Sequence, residues 1–346
     1  MKAVIKTKPE KGNVELKEAE IPGIGPGEVL IRSKAAPIGS DVRVFNSDPV
    51  MMRVTRPPVI IGSENSGEIV DVGEGVTDWK PGDRVVCELV VDSCGHCQVC
   101  KAGRPFMCKD VVCIGRGRDG SFAEYFAVPG KYLHRIPQDV SFEDGAMAED
   151  LGVVITVIDD SQAIGIGDTV VVMGPGPIGL LSLQVASTCG AGHIVVTGTG
   201  TDTERLELAG QLGADRILNV EKEDLEQYVR EFTNGGGVDV VILANSSAAA
   251  IHQAFSILKK YGTMVALGYP PGPAEIPFYE ITAKALKVVG GWGASSWKAW
   301  ERALQCISSG AVNVSPLITH KFPLEDWKEA FDTFSSCKGL KVQLIP

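Results

Sequence analysis

Residues 169–179 read TVVVMGPGPIG, and this stretch decides the fold. It begins with a continuous apolar run, Thr169–Met173, which is typical of a strand buried on both faces of a parallel sheet. The pattern G-x-G-x-x-G follows directly, and an apolar helical pattern continues through Ala186. A glycine pattern alone is a weak signal in a chain with 40 glycines, but a strand before it and a helix after it give it meaning. The stretch therefore predicts the phosphate-binding turn of a dinucleotide-binding domain.

Each residue of this turn has an expected task. The first glycine permits a tight turn, the second lets a pyrophosphate approach the backbone, and the third allows the helix to lie close to the strand. The first turn of the helix then offers unpaired N–H groups to the phosphates. We expect the cofactor to contact Gly174, Gly176, Pro177, Ile178 and Gly179.

The cofactor preference depends on the end of the next strand, within residues 194–205. A site that prefers NAD(H) usually has a carboxylate there for the ribose 2′-hydroxyl. This chain has glycines and threonines instead, so a 2′-phosphate has room beside the hydroxyls, and we expect NADP(H) to be preferred over NAD(H). The alternative is that Asp202 folds back to the ribose. The expected contacts are Gly198, Thr199, Thr201 and Arg205, together with Leu267 after a later strand.

The rest of the chain shows two patterns of predicted secondary structure. Short predicted strands such as 28–32 and 67–72, separated by glycine and proline turns, make the N-terminal part β-rich and barrel-like. From about residue 165, apolar strands alternate with helices, as in a doubly wound parallel sheet, and the tail returns to mixed structure. After 169–173, the predicted strands are 193–197, 216–219, 238–243 and 263–267. The prediction is an α/β protein with residues 1–155 and 296–346 in one domain and residues 156–295 in the nucleotide-binding domain.

The net charge of −10 limits the partners that the surface can bind. Nucleic acid and anionic membranes both require a basic surface, so we expect neither as a partner, whereas a small-molecule substrate is compatible. No apolar run is long enough to cross a bilayer, and the segment from Met1 lacks the apolar core of a signal peptide. The expected location is therefore the cytoplasm.

Five of the nine cysteines lie between Cys94 and Cys113, and such clustering in a cytosolic protein indicates metal ligation. The spacing C-x2-C-x2-C-x7-C lets three thiolates surround one metal while the fourth closes a tetrahedron. Four thiolates with no open position are typical of structural zinc, although similar spacing serves iron–sulfur clusters and unligated thiols are a third alternative. In a lobe of about residues 92–110, the expected ligands of one structural zinc per subunit are Cys94, Cys97, Cys100 and Cys108.

Besides the cysteine lobe and the glycine turn, the chain has three further family motifs: PGDRV at 81–85, GSFAEY at 120–125 and LGAD at 212–215. With them, the whole chain resembles the zinc-containing medium-chain dehydrogenases, especially the sorbitol, threonine and other polyol dehydrogenases. The resemblance implies a GroES-like catalytic domain, a Rossmann domain and an active site between them. It also implies a homodimer or homotetramer formed through the Rossmann sheet, near residues 286–289.

In that family a cysteine in C-G-[ST]-D, a histidine in G-H-E and a later cysteine or glutamate hold a catalytic zinc. The matching segments in this chain are Ile38–Asp41, Gly62–Glu64 and Ala148–Asp150. Ile38 replaces the cysteine and Ser63 replaces the histidine, and neither is a useful zinc ligand. We therefore expect a metal-free active site. The alternatives are a harder ion held by Glu64, Glu149 and Asp41, or an inactive descendant.

Without zinc, hydrogen-bond donors are the available means of stabilising negative charge on a substrate oxygen. Ser40 matches the proton-relay hydroxyl of the family, and Arg43 stands where relatives often carry a relay histidine. An arginine cannot act as a base, but it can stabilise negative charge or bind an anionic group, including a cofactor phosphate. Glu64 and Glu149 either act as acid/base groups or pair with a nearby arginine or hydroxyl. The expected catalytic residues are Ser40, Arg43, Glu64 and Glu149.

Three functions fit these residues. The first, which the resemblance favours, is the NAD(P)(H)-dependent interconversion of an alcohol and a ketone, without a catalytic zinc. The alcohol would be a polyol or a sugar-like molecule. The second is reduction of a C=C bond conjugated to a carbonyl, which depends less on a Lewis acid. The third is cofactor binding without catalysis. Three aromatic residues either line the substrate pocket or pack in the core: Phe45, Trp292 and Trp297.

Overall fold

A computed structural model describes residues 1–270, 272–291, 293–294 and 296–346, apart from the side chain of Asp160. The chain forms two compact units. The first unit contains Met1–Glu149, Ala294–Ser309 and Val314–Pro346, and the second contains Asp150–Gly293 and Gly310–Asn313. The C-terminal tail thus returns to the unit that the N-terminal part begins.

The first unit consists mainly of short strands. Its strands are β1 (Lys2–Lys6), β2 (Val14–Glu18), β3 (Glu28–Pro37), β4 (Val59–Ile60), β5 (Ser66–Val72), β6 (Arg84–Cys87), β7 (Val90–Asp92), β8 (Val112–Cys113), β9 (Tyr125–Pro129), β10 (Leu133–Arg135), β17 (Ile318–Pro323) and β18 (Lys341–Ile345). Its helices are α1 (Asp41–Phe45), α2 (Gln98–Lys101), α3 (Phe142–Gly145), α10 (Trp297–Ser308) and α11 (Trp327–Ser335). Alternate residues of the long strand β3, such as Val29 and Ile31, are buried, as expected for a strand with one face on a core.

One large sheet positions the segments that matter for function. Its strand order is β10-β6-β5-β3-β18-β17, and β9 also pairs with β3. Strand β18 runs antiparallel to β3, with Leu344 opposite Ala36. Because of this pairing, Ile38, which follows β3, donates its N–H to the carbonyl of Val342 at 2.8 Å. The start of β18 at Lys341 therefore lies next to the end of β3.

The second unit is a single layered α/β structure. Its strands are β11 (Thr169–Met173), β12 (His193–Gly198), β13 (Arg216–Asn219), β14 (Val238–Leu243), β15 (Leu258–Ala266) and β16 (Lys287–Gly290). Its helices are α5 (Pro177–Thr188), α6 (Thr203–Gln211), α7 (Leu225–Phe232), α8 (Ala248–Ile257) and α9 (Phe278–Ala283), and α4 (Ala148–Ser161) leads into it.

The six strands of the second unit form one parallel sheet in the order β13-β12-β11-β14-β15-β16. Its central residues, such as Val171 and Val241, are fully buried because helices cover both faces. The strand order reverses between β11 and β14, where open α/β sheets bind ligands beyond the carboxyl ends of their strands. The predicted α/β class with a doubly wound sheet is confirmed. Among the described residues, no helix combines the length and the apolar character that crossing a bilayer requires.

Candidate active site and zinc site

The four cysteines that the sequence predicts as zinc ligands come together around α2. The sulphur of Cys97 lies 3.4 Å from that of Cys100 and 3.9 Å from that of Cys108, and the sulphurs of Cys94 and Cys100 are 3.9 Å apart. All four sulphur atoms lie within 4.8 Å of one another. Backbone N–H groups of His96 and Cys97 lower the pKa of the Cys94 thiol to about 6, which favours the thiolate that a metal requires.

These separations fit a single zinc ion. A tetrahedron with Zn–S bonds of about 2.3 Å places its sulphur atoms about 3.8 Å apart. The four thiolates leave no open position, so zinc bound here stabilises the lobe and supplies no substrate chemistry. The lobe needs such a stabiliser because α2 spans only 4 residues and buries none of them.

The glycine turn between β11 and α5 has the geometry that its sequence predicts. Gly174 has a φ of +105°, a conformation that favours glycine, and Pro177 occupies the first turn of the helix, where a missing N–H is harmless. A Cβ at Gly179 would lie 1.9 Å from the carbonyl oxygen of Gly174, so only glycine lets the helix approach the turn. A Cβ at Gly176 would meet no atom within 4 Å, so this part of the turn is open to a ligand.

The start of α5 and the end of β15 lie at the same edge of the parallel sheet. The first backbone hydrogen bond of α5 joins the N–H of Leu180 to the carbonyl of Gly176 at 2.9 Å. Ile178 precedes that bond, so its N–H belongs to the set that a helix start offers to phosphate oxygens. Leu267 follows β15 and donates its N–H to the carbonyl of Leu243 at 3.0 Å.

The segment after β12 folds into a compact capping turn next to Gly198, the last residue of the strand. The carboxylate of Asp202 accepts hydrogen bonds from the N–H of Thr199 at 3.0 Å and from its hydroxyl at 2.8 Å. The Thr201 hydroxyl lies 2.9 Å from that of Thr199, and the guanidinium of Arg205 lies 3.7 Å from Asp202. Asp202 therefore folds back to the strand end, where it bonds to Thr199.

The two residues that replace zinc ligands make other contacts. Ile38 is fully buried in an apolar cluster of the first unit. Ser63 donates its hydroxyl to Asp41 at 3.2 Å, and the N–H of Gly62 donates to the other oxygen of that carboxylate at 3.1 Å. Burial raises the pKa of the Asp41 carboxyl, and the nearby guanidinium of Arg116 opposes this shift.

Glu64 forms a buried ion pair. The ammonium of Lys341 lies 2.6 Å from Oε2 of Glu64, and the two side chains are only 3% and 4% exposed. A Cβ at Gly39 would lie 2.1 Å from Oε1 of Glu64, so glycine is required there to admit the carboxylate. Of the two alternatives that the sequence allowed for Glu64, the structure contains the paired one, with a lysine in place of the expected arginine or hydroxyl.

A buried arginine lies beside Ser40. Arg116 is 4% exposed, and its Nη2 donates to Oγ of Ser40 at 2.5 Å. Arg116 also contacts the Cys113 thiol: burial raises the pKa of that thiol, the guanidinium opposes the shift and the carboxylate of Glu149 adds to it. A carboxylate oxygen of Glu149 lies within 4.8 Å of one of Glu64. We call these residues the polar centre: Ser40, Asp41, Glu64, Arg116, Glu149 and Lys341.

The remaining predicted residues have other surroundings. Arg43, on α1, donates from Nη2 and Nε to one oxygen of Asp48 at 3.0 and 3.3 Å, which holds its guanidinium in an ion pair. Phe45 packs against the apolar core of the first unit. Trp297 begins α10 and is 51% exposed, and Trp292 lies outside the described residues.

Comparison with known proteins agrees with this architecture. Residues 25–138 match the alcohol dehydrogenase GroES-like domain, and residues 177–309 match the zinc-binding dehydrogenase domain. The L-threonine 3-dehydrogenase of Shewanella baltica (strain OS185) is 34% identical over 345 residues, which cover 99% of each chain. The chain belongs to the zinc-containing medium-chain dehydrogenase family. The resemblance that its motifs indicate is thereby confirmed, and the chain is an alcohol dehydrogenase-like enzyme.

Two solved structures of this family share the whole fold. A zinc-binding dehydrogenase of Sinorhizobium meliloti 1021, solved bound to NADP, superposes with a TM-score of 0.90 at 30% identity over 100% of this chain and 99% of the other. The 2R,3R-butanediol dehydrogenase of Bacillus subtilis gives a TM-score of 0.89, also at 30% identity, over 100% of this chain and 99% of the other.

The family's catalytic zinc does not fit the polar centre. One ligand position holds a buried isoleucine, the second holds a serine bonded to Asp41, and the positive charge of Lys341 competes with any cation for Glu64. Two residues of the centre, Arg116 and Lys341, were missed by the sequence analysis. Neither stands in a motif, and only their burial beside carboxylates distinguishes them from surface cations.

Proposed function

We propose that this enzyme interconverts an alcohol and a ketone with NADP(H), without a catalytic zinc. The alcohol is a polyol or a sugar-like molecule. The observation that carries the proposal is the polar centre. It keeps the Ser40 hydroxyl and the Glu149 carboxylate of a family site, while the Lys341–Glu64 ion pair lies where a zinc ligand would be needed. We also propose that the two compact units are the catalytic and the nucleotide-binding domain.

The side chains of the polar centre then handle the substrate oxygen. NADPH, when bound, would supply the hydride for the carbonyl carbon, and the C=O π electrons would move onto the oxygen. The Ser40 hydroxyl donates its proton to that oxygen, and the protonated carboxyl group of Glu149 returns one proton to Ser40. Alcohol oxidation follows the same steps in reverse. Lys341 already pairs with Glu64, so we assign the proton exchange to the carboxyl group of Glu149.

A substrate panel tests this function. Secondary alcohols, including L-threonine, (2R,3R)-butanediol and hexitols, are offered with NADP⁺ and NAD⁺, and the corresponding ketones and conjugated enones are offered with the reduced cofactors. We expect turnover of at least one alcohol–ketone pair, and loss of that turnover in Ser40→Ala. Turnover of enones alone would replace the proposal with C=C reduction, and cofactor binding without any turnover would replace it with a binding role.

The preference for NADP(H) is a separate prediction. It is supported by the absence of a side chain at Gly198, by the engagement of Asp202 with Thr199, and by the NADP-bound relative. We expect kcat/KM to be at least about tenfold higher with NADPH than with NADH, and Arg205→Ala to lower the NADPH value alone by about tenfold, since a hydrogen bond to a charged group contributes about 1.5–3 kcal/mol.

The control for that variant is Arg230→Ala, which removes an exposed arginine from the last turn of α7. It should leave both cofactor values unchanged. If NADH is preferred and Asp202→Ala removes the preference, Asp202 serves the ribose hydroxyls and the prediction is wrong.

Three further proposals, on the metal, the oligomeric state and the cellular location, rest on the resemblance to the family. We propose one structural zinc per subunit on the four cysteines, and a cytoplasmic homodimer or homotetramer formed through the edge of the second unit's sheet. Strand β16 is the edge strand there, and Val288 on it is 43% exposed, as is suitable for pairing with a second copy.

A further inference from the structure

Arg116 is held in place by the backbone around it. The loop that carries it packs on the segment containing Ser63: a Cβ at Gly115 would lie 2.7 Å from backbone atoms of Gly62, and a Cβ at Gly120 would lie 2.1 Å from the Gly62 carbonyl oxygen. The carbonyl of Arg116 itself accepts the N–H of Arg56 at 2.8 Å. The loop therefore holds the backbone of Arg116 next to the Gly62–Glu64 segment, in which the family motif has a histidine ligand and this chain has Ser63.

The hydrogen bonds of Arg116 are unusual for a buried arginine. Such a guanidinium is ordinarily neutralised by a carboxylate in a bidentate pair. Here the carboxylate of Asp41 accepts hydrogen bonds from Gly62 and Ser63, whereas Arg116 donates to the neutral hydroxyl of Ser40 and contacts the Cys113 thiol. Its Nε is buried and has no hydrogen-bond partner among the described residues. The guanidinium thus retains binding capacity for one more oxygen atom.

The bond to Ser40 has a direct chemical consequence. Because Nη2 donates to Oγ, Ser40 acts as the acceptor in this bond and its own O–H is left to donate elsewhere. A permanent positive charge 2.5 Å from Oγ makes that O–H a stronger donor and stabilises negative charge that develops on an oxygen bonded to it. Arginine suits this task because its guanidinium cannot lose its proton near neutral pH.

We propose that Arg116, acting through Ser40, supplies the positive charge that stabilises the oxyanion during hydride transfer, the task that the catalytic zinc performs in related enzymes. Arg116 is therefore a positioning and polarising residue for Ser40. The inference rests on the proposed alcohol–ketone function, and it adds the group that replaces the Lewis acid. A charge near Ser40 that serves only to bind a substrate carboxylate is the competing role.

The test compares Arg116→Met and Arg116→Lys with the wild type, using NADP⁺ and the alcohol of highest turnover in the substrate panel. We expect Arg116→Met to lower kcat by about 100-fold or more with a small change in KM, as loss of an oxyanion-stabilising donor does. Arg116→Lys keeps the positive charge but loses the planar guanidinium group with its several N–H donors, and it should have an intermediate kcat. Guanidinium chloride, well below unfolding concentrations, should raise the kcat of Arg116→Met by roughly tenfold.

Two controls separate this role from support of the fold. Arg118→Met removes the neighbouring arginine, which pairs with Glu28 at 2.6 Å, and should leave kcat unchanged and unaffected by guanidinium. The double variant Ser40→Ala/Arg116→Met should be no slower than the slower single variant, because one residue acts through the other.

The outcomes distinguish the inference from the proposed function. Suppose that the wild type turns over alcohols. If Arg116→Met then raises only KM, the inference is overturned and the function stands. The same holds if the loss of kcat in Arg116→Met adds to the loss in Ser40→Ala and guanidinium does not restore it. If the wild type turns over no alcohol or ketone, the function itself fails, and the inference fails with it.

Discussion

Replacing Lys341 with methionine is expected to lower the free energy of unfolding by about 3–5 kcal/mol. Lys341 and Glu64 are almost fully buried, and their charged groups lie 2.6 Å apart. Removing Lys341 takes the ion-pair partner away from a carboxylate that stays buried, and breaking a buried pair in this way has an effect of about that size. Urea unfolding followed by circular dichroism measures the change.

The double variant Glu64→Gln/Lys341→Met should regain a large part of the lost stability, because it removes both charges of the buried pair. Lys321→Met is the matched control: Lys321 pairs with Glu143 at 2.7 Å but is 49% exposed, so its loss should change stability by less than about 1 kcal/mol. Equal effects of Lys341→Met and Lys321→Met would contradict the buried ion pair.

Gly179→Ala is expected to weaken NADPH binding by roughly 100-fold, or about 2.7 kcal/mol. The added Cβ would lie 1.9 Å from the carbonyl oxygen of Gly174, well inside any real contact distance, so the start of α5 must move by roughly 1 Å. That movement displaces the N–H groups and the open turn on which a pyrophosphate depends. Titration of NADPH fluorescence measures the dissociation constant.

Gly210→Ala provides the comparison for this substitution. Gly210 lies in α6, a Cβ there would meet no atom within 4 Å, and alanine favours a helix by about 1 kcal/mol over glycine. It should leave NADPH binding unchanged and increase stability slightly. Tight NADPH binding by Gly179→Ala would show that the turn is not where the cofactor phosphates lie.

The second unit could be predicted from sequence in detail because local patterns determine it. The strands Thr169–Met173, Arg216–Asn219 and Val238–Leu243 have the predicted bounds, since each is a short apolar run bounded by turns. Strand β15 begins at Leu258, earlier than the expected residue 263, because α8 leads directly into it without a turn signal. Boundaries of that kind depend on pairing with β14, which the sequence does not display.

The polar centre could be predicted only in part. Aligning segments with the family motif locates Ser40, Glu64 and Glu149, and the structure brings them together. Arg116 and Lys341 lie on a loop and on the last strand, and only the pairing of β18 with β3 and the packing of the loop on Gly62 place them there. Long-range contacts of this kind leave no spacing in the sequence, and an arginine between two glycines resembles an ordinary surface residue.

The cysteine lobe has the ligand set of a structural metal, whereas two positions of the catalytic-zinc motif hold Ile38 and Ser63, and the buried cations Arg116 and Lys341 lie beside Ser40 and Glu64. Zinc bound by these four thiolates would have no open position for a substrate, so zinc content must be measured together with turnover to identify a catalytic metal.

The most direct test of this account is the zinc content of the purified, fully active enzyme, measured by plasma mass spectrometry with the turnover of the same sample. We expect one zinc per chain, lost in Cys97→Ser, and no increase in kcat when zinc is added. Two zinc ions per chain, with activity that rises in proportion to the second, would contradict the account.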